Sequence, residues 1–219
     1  MNQQYYIDLE KYSLQKFKEN LQRRDMIPSR VILKDNIDER FKILCANGIE
    51  NLKDLIGELK NKDKIEEFSN KANLSVEYLT ILKREASSYL PNPIQLRKMP
   101  GVDVATVSAL EKIGLKNTKH FFNEASNSDK INQISHLSGV SVTKLNELSS
   151  LSDLARLYGV GPVFARIIYD VGISSVNDFV KYSAEDFIEI YENKTQKKAD
   201  FGISEINFSI ELAKELINS

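Results

Sequence analysis

The chain overlaps itself when it is slid along by 66 residues. This shift lays NKDKIEEFSNKANLSVEYLTIL, which starts at Asn61, on NSDKINQISHLSGVSVTKLNEL, which starts at Asn127. Asp63, Lys64, Ile65, Ser75, Val76, Leu79 and Leu82 meet identical residues, and Leu44, Gly48 and Asn51 fall on Leu110, Gly114 and Asn117. A further shift of 58 carries Gly101, Val102, Gly114 and Phe121 to Gly159, Val160, Gly172 and Phe179. An internal period of this size identifies a repeat architecture in which each unit buries its apolar faces against its own helices and its neighbours.

The units are helical. Ile131, Ile134 and Leu137, and then Leu145, Leu148, Leu151 and Leu154, recur at the helical period. The chain is sparing in breakers, with nine glycines and five prolines in 219 residues. Gly48, Gly114 and Gly172 each close an apolar-periodic run and precede an aliphatic residue, as a left-handed C-cap with its hydrophobic contact requires. Asn51, Asn117 and Ser175 then stand where the next helix needs an N-cap, with Ser175 and Asp178 spaced for a capping box. Ser75, Ser141 and Ser204 are further N-cap positions, bracketed by the apolar pairs Leu74/Leu79, Val140/Leu145 and Ile203/Phe208 in the pattern of a hydrophobic staple. The expected fold is all-α: tandem helix-hairpin-helix-like repeats in three copies of about 60 residues plus an N-terminal helix. The expected boundaries are an N-terminal helical segment over 1–29, a degenerate repeat over 30–92, a second over 93–150 and a third over 151–219. PNP at 91–93 separates the first two, since the residue before a proline is driven out of the helical region. Asp8–Arg24 is expected to form one helix, with Leu9, Tyr12, Leu14, Phe17 and Leu21 along its apolar stripe, and Tyr5, Tyr6, Tyr12 and Phe17 are expected in the core.

The third copy carries the stretch with chemistry in it, LARLYGVGPVFARII. Leu151, Leu154 and Leu157 mark the first helix of a pair, and Pro162 suits the first position of the second. Gly159 is free to take a positive φ, Val160 to wedge between the helices, and Gly161 offers no Cβ to an approaching ligand. The amides of Gly161 and of the helix start beyond it are then exposed to an anion such as a phosphate. Gly159, Val160, Gly161, Pro162, Val163 and Arg166 are the candidate nucleic-acid-binding residues, Arg166 adding charge one turn into the helix. The other two copies are poorer anion sites. The second reads Gly101-Val102-Asp103, with a carboxylate in place of the second glycine, and the first reads Asp35-Asn36-Ile37 with no glycine.

The hairpin LARLYGVGPVFARIIYDVGI resembles the helix-hairpin-helix motif. With MIPSR at 26–30, REASSYLPNPIQLRKMPGVD at 84–103 and SDLARLYGVGPVFARIIYDVGISSV at 152–176, nearly the whole chain looks like a bacterial family of helix-hairpin-helix-like proteins known as a domain of unknown function. That resemblance implies a fold more than a role. Helix-hairpin-helix proteins at large bind DNA without sequence preference through hairpin amides.

Charge and composition limit the alternatives. With 30 basic and 31 acidic residues the net charge is −1, so any attraction for nucleic acid is local and weak. The basic groups Lys194, Lys197 and Lys198, and Arg23, Arg24 and Arg30, are mostly expected to be solvated surface. A single cysteine, Cys45, excludes an intramolecular disulfide and is expected as a small core residue. The two histidines, His120 and His136, match no ligand spacing and are expected to be structural, and GVGP lacks the Lys-Ser or Lys-Thr of a phosphate loop. The opening MNQQYYIDLEKYSL lacks the basic flank and apolar run of a secretory signal and no apolar stretch approaches about 20 residues, so neither a leader nor a membrane span is expected. The expectation is a cytoplasmic, non-catalytic protein without cofactor, metal or membrane contact. It either binds DNA or another nucleic acid weakly at 159–166, or serves as a scaffold for a protein partner with purely structural hairpins.

Overall fold

A computed structural model describes residues 4–24, 26 and 28–218; Ile27 of the MIPSR stretch lies outside the described residues. The chain is all-α, with no strand among the described residues. It divides into two compact units, one of residues 7–90 and one of 1–6 together with 91–218.

In the 7–90 unit, helix α1 (Leu14–Arg23) begins six residues later than expected. Ser13 ends a turn held by the Tyr12 amide on the Asp8 carbonyl, and its hydroxyl accepts from the Lys16 amide, so the local cap decides the helix start over the apolar stripe that continues upstream. A 3-10 helix (Pro28–Leu33) leads to α2 (Ile37–Ala46), α3 (Leu52–Glu58), α4 (Lys62–Ala72) and α5 (Val76–Ser87). Residues 12–14, assigned from sequence to a separate segment, pair with the turn at 50–52. The Leu14 amide donates to the Glu50 carbonyl at 2.8 Å, and the Leu52 amide to the Tyr12 carbonyl at 3.0 Å. Tyr12 and Phe17 are core residues, while Cys45, expected in the core, is exposed on the outer face of α2.

The second unit holds a 3-10 helix (Leu96–Lys98), then α6 (Val104–Lys112), α7 (Thr118–Glu124), α8 (Ser128–Ser138), α9 (Val142–Leu154), α10 (Pro162–Asp170), α11 (Val176–Phe179), α12 (Ala184–Thr195) and α13 (Ile203–Asn218). Leu96, Leu110, Leu115, Phe121, Ile131, Ile134, Leu145 and Leu148 form one core cluster of this unit. Phe179, Phe187, Tyr191 and Phe201 meet edge-on or tilted around α12. The expected boundary between residues 150 and 151 falls inside α9, a single unbroken helix.

The glycine caps have the geometry expected of them. Gly48, Gly114 and Gly172 have φ of 87°, 89° and 96°. The residue after each donates to the carbonyl five positions back, Ile49 to Leu44, Leu115 to Leu110 and Ile173 to Ile168, at 3.2, 3.0 and 3.2 Å. Asn51, Asn117 and Ser175 cap α3, α7 and α11, and Ser75 and Ser141 cap α5 and α9. Two expected caps differ. Ser204 lies inside α13, because that helix starts at Ile203 with the Gly202 carbonyl accepting from the Ile206 amide, and the Glu205 carboxylate takes the Gly202 amide. Ile203 is left half-exposed rather than stapled. At Ser175 only half of the capping box forms: Asp178 bonds the Ser175 hydroxyl, and the reciprocal box is at Ser183 and Asp186 instead.

Candidate functional site

The α9–α10 connection is a tight hairpin in which each residue has a distinct task. Leu154 and Leu157 are buried, and the Val160 amide donates to the Leu157 carbonyl at 3.2 Å, closing the turn. Gly159 has φ of 75°, a conformation that costs other L-residues strain. Val160 is buried as the wedge, and Ala165, fully buried, lets α10 pack on α9. Gly161 is the N-cap of α10 with ordinary extended angles, φ −77° and ψ 179°, and Pro162 follows at the first helical position. Apart from Gly161 itself and its chain neighbours, no heavy atom of the described residues lies within 4 Å of where a Gly161 Cβ would be, so the space over this helix start is open. The amides of Gly161, Val163 and Phe164 have no acceptor among the described residues, and Val163 beside them is largely exposed. Open amides at the positive end of a helix dipole form a surface that one phosphate group fits.

The second hairpin shows what such a start looks like when filled. Asp103 caps α6, and its carboxylate accepts from the Thr106 amide and the Thr106 hydroxyl, both at 2.8 Å, and pairs with Lys144 at 2.8 Å. Lys144, followed by the Thr106 amide and hydroxyl, holds this carboxyl well below the usual carboxylate range. The shift of 58 that relates the two hairpins puts Asp103 on Gly161 and Thr106 on Phe164. An acid therefore occupies before α6 the place that Gly161 leaves empty before α10. Asn36 precedes α2 with φ of 46° and makes no side-chain cap, and Asp38 and Glu39 stand in the first turn.

Most of the basic residues expected as solvated surface are engaged within the fold. Arg166, the sixth candidate site residue, is not presented to the open amides. Its Nε meets Asp170 Oδ1 at 2.9 Å, its Nη1 pairs with Glu147, and the same nitrogen reaches the Pro100 carbonyl at 3.4 Å. Arg156 is buried: Nε donates to Asp153 Oδ1 at 2.6 Å, Nη1 to the Gln4 carbonyl at 2.8 Å, and the guanidinium lies 4.7 Å from the centre of the Phe122 ring. Lys194 caps the C-terminus of α10 by donating to the Val171 carbonyl at 2.5 Å. In the other unit Arg24 and Arg30 both pair with the buried carboxylate of Glu85, and Arg23 bonds the Asn20 side chain. Lys197 and Lys198 are exposed. His120 and His136 are exposed as well, a correction to the structural role expected of them. No group of metal-ligating side chains occurs among the described residues, and no helix among them is long and apolar enough to cross a membrane.

Residues 100–216 match the family model described as Domain of unknown function (DUF4332). The chain belongs to the DUF4332 family. The match takes in the second and third hairpins and everything from α6 into α13. It leaves Met26–Arg30 and residues 84–99 outside, so it is shorter than the near-complete resemblance read from the sequence. No curated protein and no solved structure matches the chain.

Two features of the DUF4332 region were not foreseen from the sequence. One is the ion pair of the buried Arg156 with the partly exposed Asp153. Its only sequence signal is the i, i+3 spacing of an acid and a base within the apolar stripe of Leu151, Leu154 and Leu157. The amides that open α3 and α7, of Leu52 and Thr118, donate to the backbone carbonyls of Tyr12 and Ile94. At the start of α11 the Val176 amide instead donates to Asp153 Oδ2 at 2.7 Å. The second feature is an open cavity of about 930 Å³ against that pair, lined by Phe122, Asn123, Ser126, Ser149, Ser150, Asp153, Ser174 and Asn177 among others.

Proposed function

We propose that this protein is a non-catalytic, helix-hairpin-helix protein of the bacterial cytoplasm that binds nucleic-acid backbone weakly and without sequence preference, through Gly159, Val160, Gly161, Pro162 and Val163. On this reading the chain is three copies of one hairpin unit, of which one retains the anion-binding function. The observation that carries the proposal is the contrast between Asp103, whose carboxylate sits on the first turn of α6, and Gly161, which leaves the equivalent amides of α10 without an acceptor among the described residues. Weak binding follows from the internal use of Arg156, Arg166 and Lys194. Affinity for a polyanion grows with the number of phosphates neutralised by Lys or Arg, and these three are engaged within the fold.

The test is retardation of labelled duplex DNA. At about 50 mM salt the protein should shift the duplex, the shift should fade as salt is raised, and Gly161→Asp should remove it. Absence of a shift in the wild-type protein at that salt overturns the reading.

The second reading, a scaffold for a protein partner, has its own support. An open groove of about 400 Å³ runs along Ile113, Leu115, His120, Ile134 and Leu137, with Leu137 69% exposed. An apolar residue this open on a folded surface fits a protein contact better than a nucleic-acid one. Nuclease-resistant co-purification of a single protein partner would favour it.

A further inference from the structure

The DUF4332 region is completed by residues that its family match does not contain. Gln4–Tyr6 lie in the same compact unit as 91–218, although Ile7–Leu90 intervene in sequence as a unit of their own. These three residues are held as a bound peptide would be. Tyr5 is 4% exposed; its hydroxyl shares a 2.7 Å hydrogen bond with the Thr118 hydroxyl, which also accepts from the Ile94 amide, and its ring meets Phe122 edge-on at 5.5 Å. The Gln4 carbonyl accepts from the fully buried Arg156 guanidinium, and the Tyr6 ring lies under Lys119 at 4.5 Å.

Such contacts separate a receptor from a ligand. Thr118, Lys119, Phe122 and Arg156 all lie within the matched residues 100–216, and all of the occupant lies outside. The receptor side is assembled independently of it: Asp153 orients Arg156 through Nε, the Val176 amide orients Asp153, and Thr118 is positioned as the first residue of α7. What the occupant meets is Nη1 of Arg156, a slot for one phenol ring and the Thr118 hydroxyl at its end. A buried guanidinium costs several kcal/mol unless its donors are met, and the Gln4 carbonyl meets one of them. We propose that this surface is a recognition site for a short tyrosine-bearing peptide, filled in cis by Gln4-Tyr5-Tyr6, and that its occupant in trans is the same segment of a second copy of this chain. Exchange of an identical segment between copies needs no new interface, only release of the segment already bound. This site is separate from the α10 helix start, and the nucleic-acid reading stands or falls independently of it.

The experiment uses the full chain with a protease recognition sequence inserted between Tyr6 and Ile7. After cleavage, a fluorescent synthetic peptide of residues 1–8 should bind the cut protein, seen as a rise in anisotropy. The same peptide carrying Tyr5→Ala should bind at least about tenfold more weakly, since it lacks both the ring contact and the phenol hydrogen bond. The uncut protein, its site filled by a tethered segment, should take up the peptide at least about tenfold more weakly than the cut protein. Loss of helical circular dichroism on cleavage would show the segment to be an unexchangeable part of the core. Failure of the cut, folded protein to take up the peptide, equal binding of the Ala peptide, or equal uptake by uncut protein would each overturn the proposal.

Discussion

The guanidinium of Arg166 lies against the backbone of Gly101: a Cβ at Gly101 would stand 2.6 Å from Nη1, the nitrogen that pairs with Glu147 and faces the Pro100 carbonyl. The helix that follows the third hairpin thus supplies the side chain that braces the turn of the second.

Gly101→Ala should destabilise the protein by about 1–2 kcal/mol, chiefly because φ is +83° there, with a further loss as Arg166 is displaced. In Arg166→Ala the steric part disappears, so the two substitutions should be less than additive by denaturant titration. Full additivity would show that Gly101 is needed only for its φ.

At Gly161 stability and binding should separate. Gly161→Ala places a methyl group in open space at ordinary backbone angles and should change stability by less than about 0.5 kcal/mol. Gly161→Asp should raise the melting temperature slightly, because a carboxylate caps the α10 amides, while removing DNA retention. The converse substitution, Asp103→Gly, should open the α6 start and strengthen retention. Melting curves and gel shifts on the same three preparations check this, and a Gly161→Asp protein that still binds DNA would place the site elsewhere.

Glu85 is fully buried between Arg24 and Arg30, and this ion pair joins the end of α1 and the 28–33 segment to α5. Removing the shared carboxylate takes the ion pair from two partly buried guanidinium groups at once. Glu85→Ala should therefore cost about 3–5 kcal/mol, and Glu85→Gln nearly as much. A loss of less than about 1 kcal/mol in unfolding free energy by denaturant titration would show that the arginines reach water when released.

Stability should fall at high pH, with Tyr5 contributing. Burial pushes its phenol from 10.0 up to about 12, against a smaller opposing effect of its hydrogen bond to Thr118. The neutral form is favoured in the folded state, so the contribution of Tyr5 is full below pH 10 and is lost as pH rises from 10 through about 12, the unfolded chain ionising first. Buried Tyr78 and Tyr89 are raised by desolvation as well and add to the same loss. Thermal melts between about pH 9 and 11 should fall less steeply for Tyr5→Phe than for wild type. Equal slopes would mean that Tyr5 reaches solvent.

Where helices begin and end was legible in the residue order, because caps act over a few positions. Gly48, Gly114 and Gly172 take their left-handed angles for steric reasons, and Asn51, Asn117, Ser75 and Ser141 bond amides three residues ahead. The exceptions, Ser13 and Gly202, are caps that a longer apolar stripe or a nearby serine obscures. Which charges remain available to a ligand was decided only by the tertiary structure. Arg156 finds Gln4 across 152 positions, Arg166 finds Pro100 across 66 and Arg24 finds Glu85 across 61. A buried cation must be paired wherever the fold places an acceptor, so its partner depends on packing and not on sequence spacing, and side chains that read as a loose basic surface are held inside the molecule.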